Sequence, residues 1–305
     1  MDLPRVTVRQ RTPAPTPADD RPVPVTIRTL RDMAERGEAF ACLTCYDATT
    51  ARILARAGVP VLLVGDTAAE VILGFTRTID MPLDVLLALT AAVKRGAPNQ
   101  HVMGDMPFMS YQADEAEAIR NAGRFMTEGL ADSVKVEADA SFAPLISKMA
   151  RAGIPVCGHV GSRPQLAALK GGYGAAGRTA TEANQIVADA VALEQAGAVL
   201  LLVEAVPDEV TKRILERTSV PLIGIGAGEQ CHGQVLVLHD LLGLTDTPPR
   251  FAEPAAKLGP VVQQAAEQWI QRVKDRQIGG RRYTMPPAEA DKLRIQSPPP
   301  PLASE

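Results

Sequence analysis

Eight short apolar runs punctuate the chain, at 40–46, 61–66, 101–106, 133–137, 155–159, 198–204, 221–225 and 234–238. Most are rich in leucine or β-branched residues, and each is too short for a core helix. That is the pattern of a strand covered on both faces. Between them apolar positions recur at helical spacing over 48–57, 83–95, 113–128, 142–152, 182–196 and 207–216. A leading helix is predicted over 26–36 and a trailing one over 260–276, where Pro260 takes the first helical position. Glycine stops the helix before the next strand at Ala57-Gly58-Val59-Pro60, Ala152-Gly153-Ile154-Pro155 and Ala196-Gly197-Ala198. Strict alternation of strand and helix predicts an α/β fold with a parallel sheet. Eight strands over roughly 250 residues fit a closed (β/α)8 TIM barrel better than an open doubly wound sheet. The expected organisation is a single domain over 25–280. It is flanked by a disordered tail over 1–24, rich in Pro, Arg, Thr and Asp, and an extended or disordered tail over 281–305 that ends in a proline run.

Composition narrows the function classes. The formal net charge of −3 provides no basic field for nucleic acid or an anionic membrane. No apolar run approaches the roughly 20 residues of a membrane span, and the first residues have no apolar signal core. The expected setting is cytoplasmic. Cys42 and Cys45 have C-x-x-C spacing, but on a strand residues three apart face opposite sides, so a buried structural pair is expected. The loop over 161–181 is long and glycine-rich, a candidate lid. Within it Gly172-Tyr173-Gly174-Ala175-Ala176-Gly177 matches G-x-G-x-x-G, but without the strand before it and the helix opening at it that a dinucleotide site requires.

Four of the runs end in an acid: Asp66, Asp105, Glu137 and Glu204. Barrels build their sites at the C-terminal ends of their strands. A single Asp there is often a helix cap or an ion-pair partner. Two on adjacent strands need a cation between them, and carboxylates with room for water suit Mg²⁺. Lys135 shares a strand face with Glu137, as an internal salt bridge or as a contact for an anionic substrate. His159, between glycines in Gly158-His159-Val160-Gly161, reads as bonded core or as a residue with space for a close ligand. Glu204 follows an apolar run whose burial would disfavour its charged form, as suits a base, unless a barrel cation pairs with it.

The chain resembles the ketopantoate hydroxymethyltransferase family from about residue 26 to 276. The resemblance rests on Thr44-Cys45-Tyr46-Asp47, Leu63-Val64-Gly65-Asp66, Asp105-Met106-Pro107-Phe108, Val134-Lys135-Val136-Glu137, Pro155-Val156-Cys157-Gly158-His159, Glu204-Ala205-Val206-Pro207 and Gly224-Ile225-Gly226-Ala227-Gly228. It implies a (β/α)8 enzyme of pantothenate synthesis. In such an enzyme Mg²⁺, held by Asp66 and Asp105 with Glu137 close by, chelates 3-methyl-2-oxobutanoate. Thr67 and Lys135 help hold that substrate, and Glu204 takes the proton from C3. The enolate then receives the one-carbon unit of 5,10-methylenetetrahydrofolate, giving 2-dehydropantoate. The resemblance also implies a homo-oligomer, commonly a decamer.

This chain departs from the family's wording at Thr67-Ala68-Ala69, Thr76-Arg77-Thr78-Ile79-Asp80, Leu89 and His232. Arg77 would bring a cation to a different anion. The alternatives are a paralogue applying the same metal–enolate chemistry to another 2-oxo acid, as in the phosphoenolpyruvate/isocitrate lyase superfamily, and a silent barrel serving in assembly.

Overall fold

Each apolar run becomes a strand in the computed structural model, which describes residues 23–295. In chain order they are β1 Phe40–Thr44, β2 Val61–Val64, β3 His101–Asp105, β4 Ser133–Glu137, β5 Val156–Gly161, β6 Leu200–Glu204, β7 Leu222–Ile225 and β8 Gly233–Leu236. All neighbours are parallel, and β8 pairs back to β1 to close the barrel. Helices Ala48–Arg56, Leu83–Gly96, Glu115–Thr127, Ala143–Arg151, Ala180–Gln195 and Asp208–Leu215 fall between successive strands up to β7. The expected TIM barrel is therefore the observed architecture. The tail segments 1–22 and 296–305 lie outside the described residues.

The chain divides into two compact units, Met1–Ala256 and Lys257–Glu305. The second contains helix Leu258–Lys274, which leaves Val261, Val262, Trp269 and Ile270 exposed. It also contains Pro287–Ile295, a helix where the reading of 281–305 expects an extended tail. There Pro287 opens the helix and Ala, Glu, Lys and Leu follow, all good helix formers. No helix of the described residues is long and apolar enough to cross a membrane.

Strand alternation sorts the apolar side chains into two cores. Phe40, Cys42, Val61, Leu63, Met103, Cys157, Leu200, Leu202, Ile223 and Val235 fill the inside of the barrel. Leu30 joins them from helix Ile27–Glu35, whose N-terminus is fixed by a Thr26–Thr29 capping box. The other strand faces pack against the surrounding helices. Cys42 belongs to the first core and Cys45 to the second, which rules the pair out as a redox or metal unit. All four cysteines are free and buried, and burial pushes the Cys45 thiol up to about 11. Gly104 is a packing requirement: a Cβ there would stand 2.4 Å from the ring of Phe125.

His101, at the N-terminal end of β3, lies fully buried with Nε2 2.8 Å from Ser133 Oγ. Burial lowers it to about 4. Its unfolded value near 6.5 is higher, so the unfolded chain binds the proton first as pH falls. The stability associated with neutral His101 is complete above pH ~6.5 and is lost progressively as pH falls towards 4, on the order of 3 kcal/mol in all. Asp66 and Glu137, with folded-state values raised by burial, work in the opposite direction over the same range. The check is therefore the stability of wild type minus that of His101→Gln, which should shrink between pH 7 and 4.

Candidate active site

The C-terminal ends of the strands open into one cavity of about 1180 Å³, lined by Asp66, Asp105, Lys135, Glu137, His159 and Glu204 among others. Thr67 lines it as well, so the structure brings together every site residue expected from the sequence. Register explains why. Asp105 ends β3 opposite Lys135 of β4, and Glu137 lies opposite His159 of β5. Glu204 ends β6 opposite Gly161. Asp66, two residues beyond β2, donates its backbone N–H to Asp105 Oδ2 at 3.0 Å. That bond places two acids, 39 residues apart in the chain, side by side.

The charges do not balance. Asp66, Asp105 and Glu137 are buried with one lysine among them. Lys135 Nζ lies 2.8 Å from Asp105 Oδ1 on the neighbouring strand, so its ion pair is with Asp105, not with Glu137 on its own strand. Burial works against the charge on Lys135, but Asp105, Asp66 and Glu137 outweigh it and hold the amine charged. Burial and the charge of Asp105 push Asp66 up to about 8, against the pull of Lys135 and Gln165. Burial also raises Glu137 well above the carboxylate range, only partly offset by Lys135. Glu137 Oε1 finds no hydrogen-bond donor. Among the described residues no three His, Cys, Asp or Glu side chains form a ready-made metal cage.

Lys135 Nζ lies 3.4 Å from His159 Nδ1. An ammonium can only donate, so Nδ1 accepts and the ring proton sits on Nε2. That nitrogen faces Glu204 Oε2 at 3.4 Å. Burial and Lys135 hold His159 below its usual range, keeping the ring neutral. Glu204 is less buried than its apolar run suggests. Its side chain keeps 20 % exposure because the strand ends at the open cavity. The glycines around His159 do not make room for a ligand. A Cβ at Gly158 would stand 2.8 Å from Leu193 of the surrounding helix layer, and one at Gly161, where φ is +92°, 2.5 Å from the Glu204 carbonyl.

Gln165 is the central residue that sequence reasoning missed. It follows β5 in a turn of 3₁₀ helix, Pro164–Leu166, and is buried. Its amide donates to Asp66 Oδ2 at 3.1 Å and to Met106 O at 3.0 Å, and its backbone N–H donates to Glu137 Oε2 at 3.0 Å. Tyr111 and Gln112 both donate to its Oε1. A lone Gln in a loop carries no pattern of spacing that would single it out. The same loop lines the cavity with Tyr173 and Gly174, and its G-x-G-x-x-G stretch is irregular, with no strand before it.

The departures lie mostly off the cavity. Arg77 does not line it and is spent on Asp80, 2.9 Å from Nε, which removes the expected cationic contact. His232 Nδ1 accepts from Leu222 N at 3.0 Å, a bond between β7 and the entry to β8. Ala69 is helical and needs no glycine freedom. Of the changed positions only Thr67 reaches the cavity, beside Thr78, where the family also writes threonine.

A family model for ketopantoate hydroxymethyltransferase matches residues 24–280. Proteins named 3-methyl-2-oxobutanoate hydroxymethyltransferase from Hyperthermus butylicus and Carboxydothermus hydrogenoformans are 43% and 40% identical to this chain. The matches cover 84% and 88% of it, and 88% and 99% of those proteins. Among solved structures, a 2,3-dimethylmalate lyase of the PEP mutase/isocitrate lyase superfamily superposes with a TM-score of 0.56 at 17% identity, covering 90% of this chain and 98% of that one. A phosphoenolpyruvate phosphomutase from Streptomyces platensis subsp. rosaceus gives 0.57 at 15% identity, covering 88% and 95%. At these identities the structural likeness shows a shared fold.

Proposed function

Because the chain belongs to the ketopantoate hydroxymethyltransferase family, we propose that it transfers a hydroxymethyl group from 5,10-methylenetetrahydrofolate to 3-methyl-2-oxobutanoate. With water, the products are 2-dehydropantoate and tetrahydrofolate. The observation that carries this reading is the Asp66–Asp105 contact in the same cavity as Glu204. Acids for a cation and an acid for a proton face the same cavity.

The residues present fit a divalent cation. Their oxygens are hard donors, Glu137 Oε1 is buried without a donor, and the three acids exceed the one lysine. Mg²⁺ keeps several waters and binds through one or two carboxylates plus substrate oxygens, so a closed protein cage is not needed. Asp66 and Asp105 would hold it, with Glu137 close by. Bound there, it would draw electron density from the 2-oxo group and acidify C3.

The protein's own groups supply the rest. Lys135, held charged, offers Nζ to the substrate carboxylate, and the Thr67 hydroxyl is a second donor at the rim. Glu204 removes the C3 proton at its carboxylate, with His159 Nε2 3.4 Å away. The enolate so formed attacks the one-carbon unit. Gln165 keeps Asp66 and Glu137 in place from behind. Residues 25–280 form the catalytic unit in this reading. The buried free thiols fit a cytoplasmic setting, and the exposed apolar residues of Leu258–Lys274 fit a homo-oligomer.

The test is incorporation of deuterium at C3 of 3-methyl-2-oxobutanoate from D₂O with Mg²⁺ and no folate. A panel of 2-oxo acids should follow, assayed with and without methylenetetrahydrofolate. Absence of exchange sinks the base assignment, and preferred turnover of another acid sinks the substrate assignment. Gln165→Leu, which removes a bond behind the candidate metal carboxylates, should weaken Mg²⁺ binding about 10- to 100-fold by calorimetry.

A further inference from the structure

A small branched oxo acid leaves most of the cavity unfilled. Ligands of drug size use pockets of roughly 300–1,000 Å³, and this one holds about 1180 Å³. Its walls differ in kind. The acids and Lys135 come from the β2–β4 side, whereas Ile225, Val235 and Val237 give the β7–β8 side an apolar face. Glu204 of β6 stands between the two.

Resting on the function proposed above, we infer that the β7–β8 side seats the pteridine ring of the one-carbon donor. The inferred anchors are Asp240 for the ring's donor edge and Phe251 for its face.

Asp240 lies in the short helix Leu238–Leu241 directly after β8 and lines the cavity. It is only 5% exposed, yet among the described residues no hydrogen bond or ion pair reaches its carboxylate. The nearby carboxylate of Glu70 repels it and cannot pair with it. A carboxylate so little hydrated and without a protein donor favours a ligand that brings donors to it. The 2-amino-4-oxopyrimidine edge of a pteridine carries two parallel N–H donors, the fork that a carboxylate accepts best.

Phe251 supplies the flat partner. Its ring lies against the backbone at the end of β7, so that a Cβ on Gly226 would stand 2.7 Å from it. Gly226 also has φ +57°, which leaves the position to glycine. The ring is partly exposed on the cavity, and offset stacking suits a planar heterocycle. Arg250, exposed beside it and without an ion-pair partner among the described residues, suits the anionic glutamate end outside. With the pteridine on this side, its reactive nitrogens face Glu204 and the oxo acid.

The test titrates the Mg²⁺-loaded protein with tetrahydrofolate and with p-aminobenzoylglutamate, which lacks the pteridine. Asp240→Asn should weaken tetrahydrofolate binding about tenfold or more. Binding of p-aminobenzoylglutamate should change less than about twofold. The KM for methylenetetrahydrofolate should rise well beyond that for the oxo acid. Phe251→Ala should weaken tetrahydrofolate binding as well, and it carries the test if Asp240→Asn does not fold. The inference is overturned if folded variants bind tetrahydrofolate as the wild type does, if both ligands weaken equally in Asp240→Asn, or if the wild type binds no tetrahydrofolate. C3 exchange by the wild type without folate tests the parent reading separately.

Discussion

Glu204→Gln should lower kcat for hydroxymethyl transfer by about 10²- to 10⁴-fold, the usual contribution of a positioned general base. The amide keeps the size of the side chain but has no lone pair basic enough to take a carbon-bound proton. The substrate's carboxylate and 2-oxo groups are held elsewhere, at Lys135 and the acids of β2 and β3, so KM for the oxo acid should move little. C3 deuterium exchange should fall in parallel with kcat, because the same proton transfer limits both. Loss of turnover with exchange intact would assign Glu204 to the folate half of the reaction. Glu204→Asp separates position from charge: it keeps the carboxylate but retracts it from His159 Nε2, now 3.4 Å away. An intermediate rate is expected.

Lys135→Met should be the most destabilising single change at the site. Lys135 is buried with Nζ 2.8 Å from Asp105 Oδ1. Removing one partner of a buried pair leaves an uncompensated charge, at a cost of about 3–5 kcal/mol. Asp66 and Glu137, whose neutral forms burial favours, supply no positive charge to relieve it. Denaturant unfolding of the metal-free protein measures the loss. Adding Asp105→Asn to Lys135→Met should recover a substantial part of it, because the double variant has no stranded charge on that pair. If the double variant is as unstable as the sum of the singles, the lysine contributes packing and the electrostatic account fails.

Much of the barrel was legible from the chain. Eight apolar runs of strand length, most of them separated by amphipathic helices and three of those helices stopped by glycine, leave little choice of topology, and all eight strands lie where the runs do. Most strands are covered on both faces, one by the interior core and one by helices, so hydrophobicity alone marks them. The acids were legible for the same reason. A charged residue at the end of a wholly apolar strand has only the barrel's rim to occupy.

What the chain could not disclose is pairing across it. That Lys135 serves Asp105 rather than Glu137 follows from the β3–β4 register, a product of barrel closure. The glycines flanking His159 look in sequence like room for a ligand, but Leu193 and the Glu204 carbonyl occupy that space. Arg77 looks like a substrate contact until Asp80, three residues on, takes its charge. Gln165 and Asp240 matter only because folding buries them beside polar groups or leaves them without one. Sequence periodicity reports what a residue shares with its neighbours along the chain, and so it determined the strands, the helices and the acids at the rim. Which groups bond, which charges stand unbalanced and how much space remains depend on contacts between distant segments, and those only the tertiary structure decided.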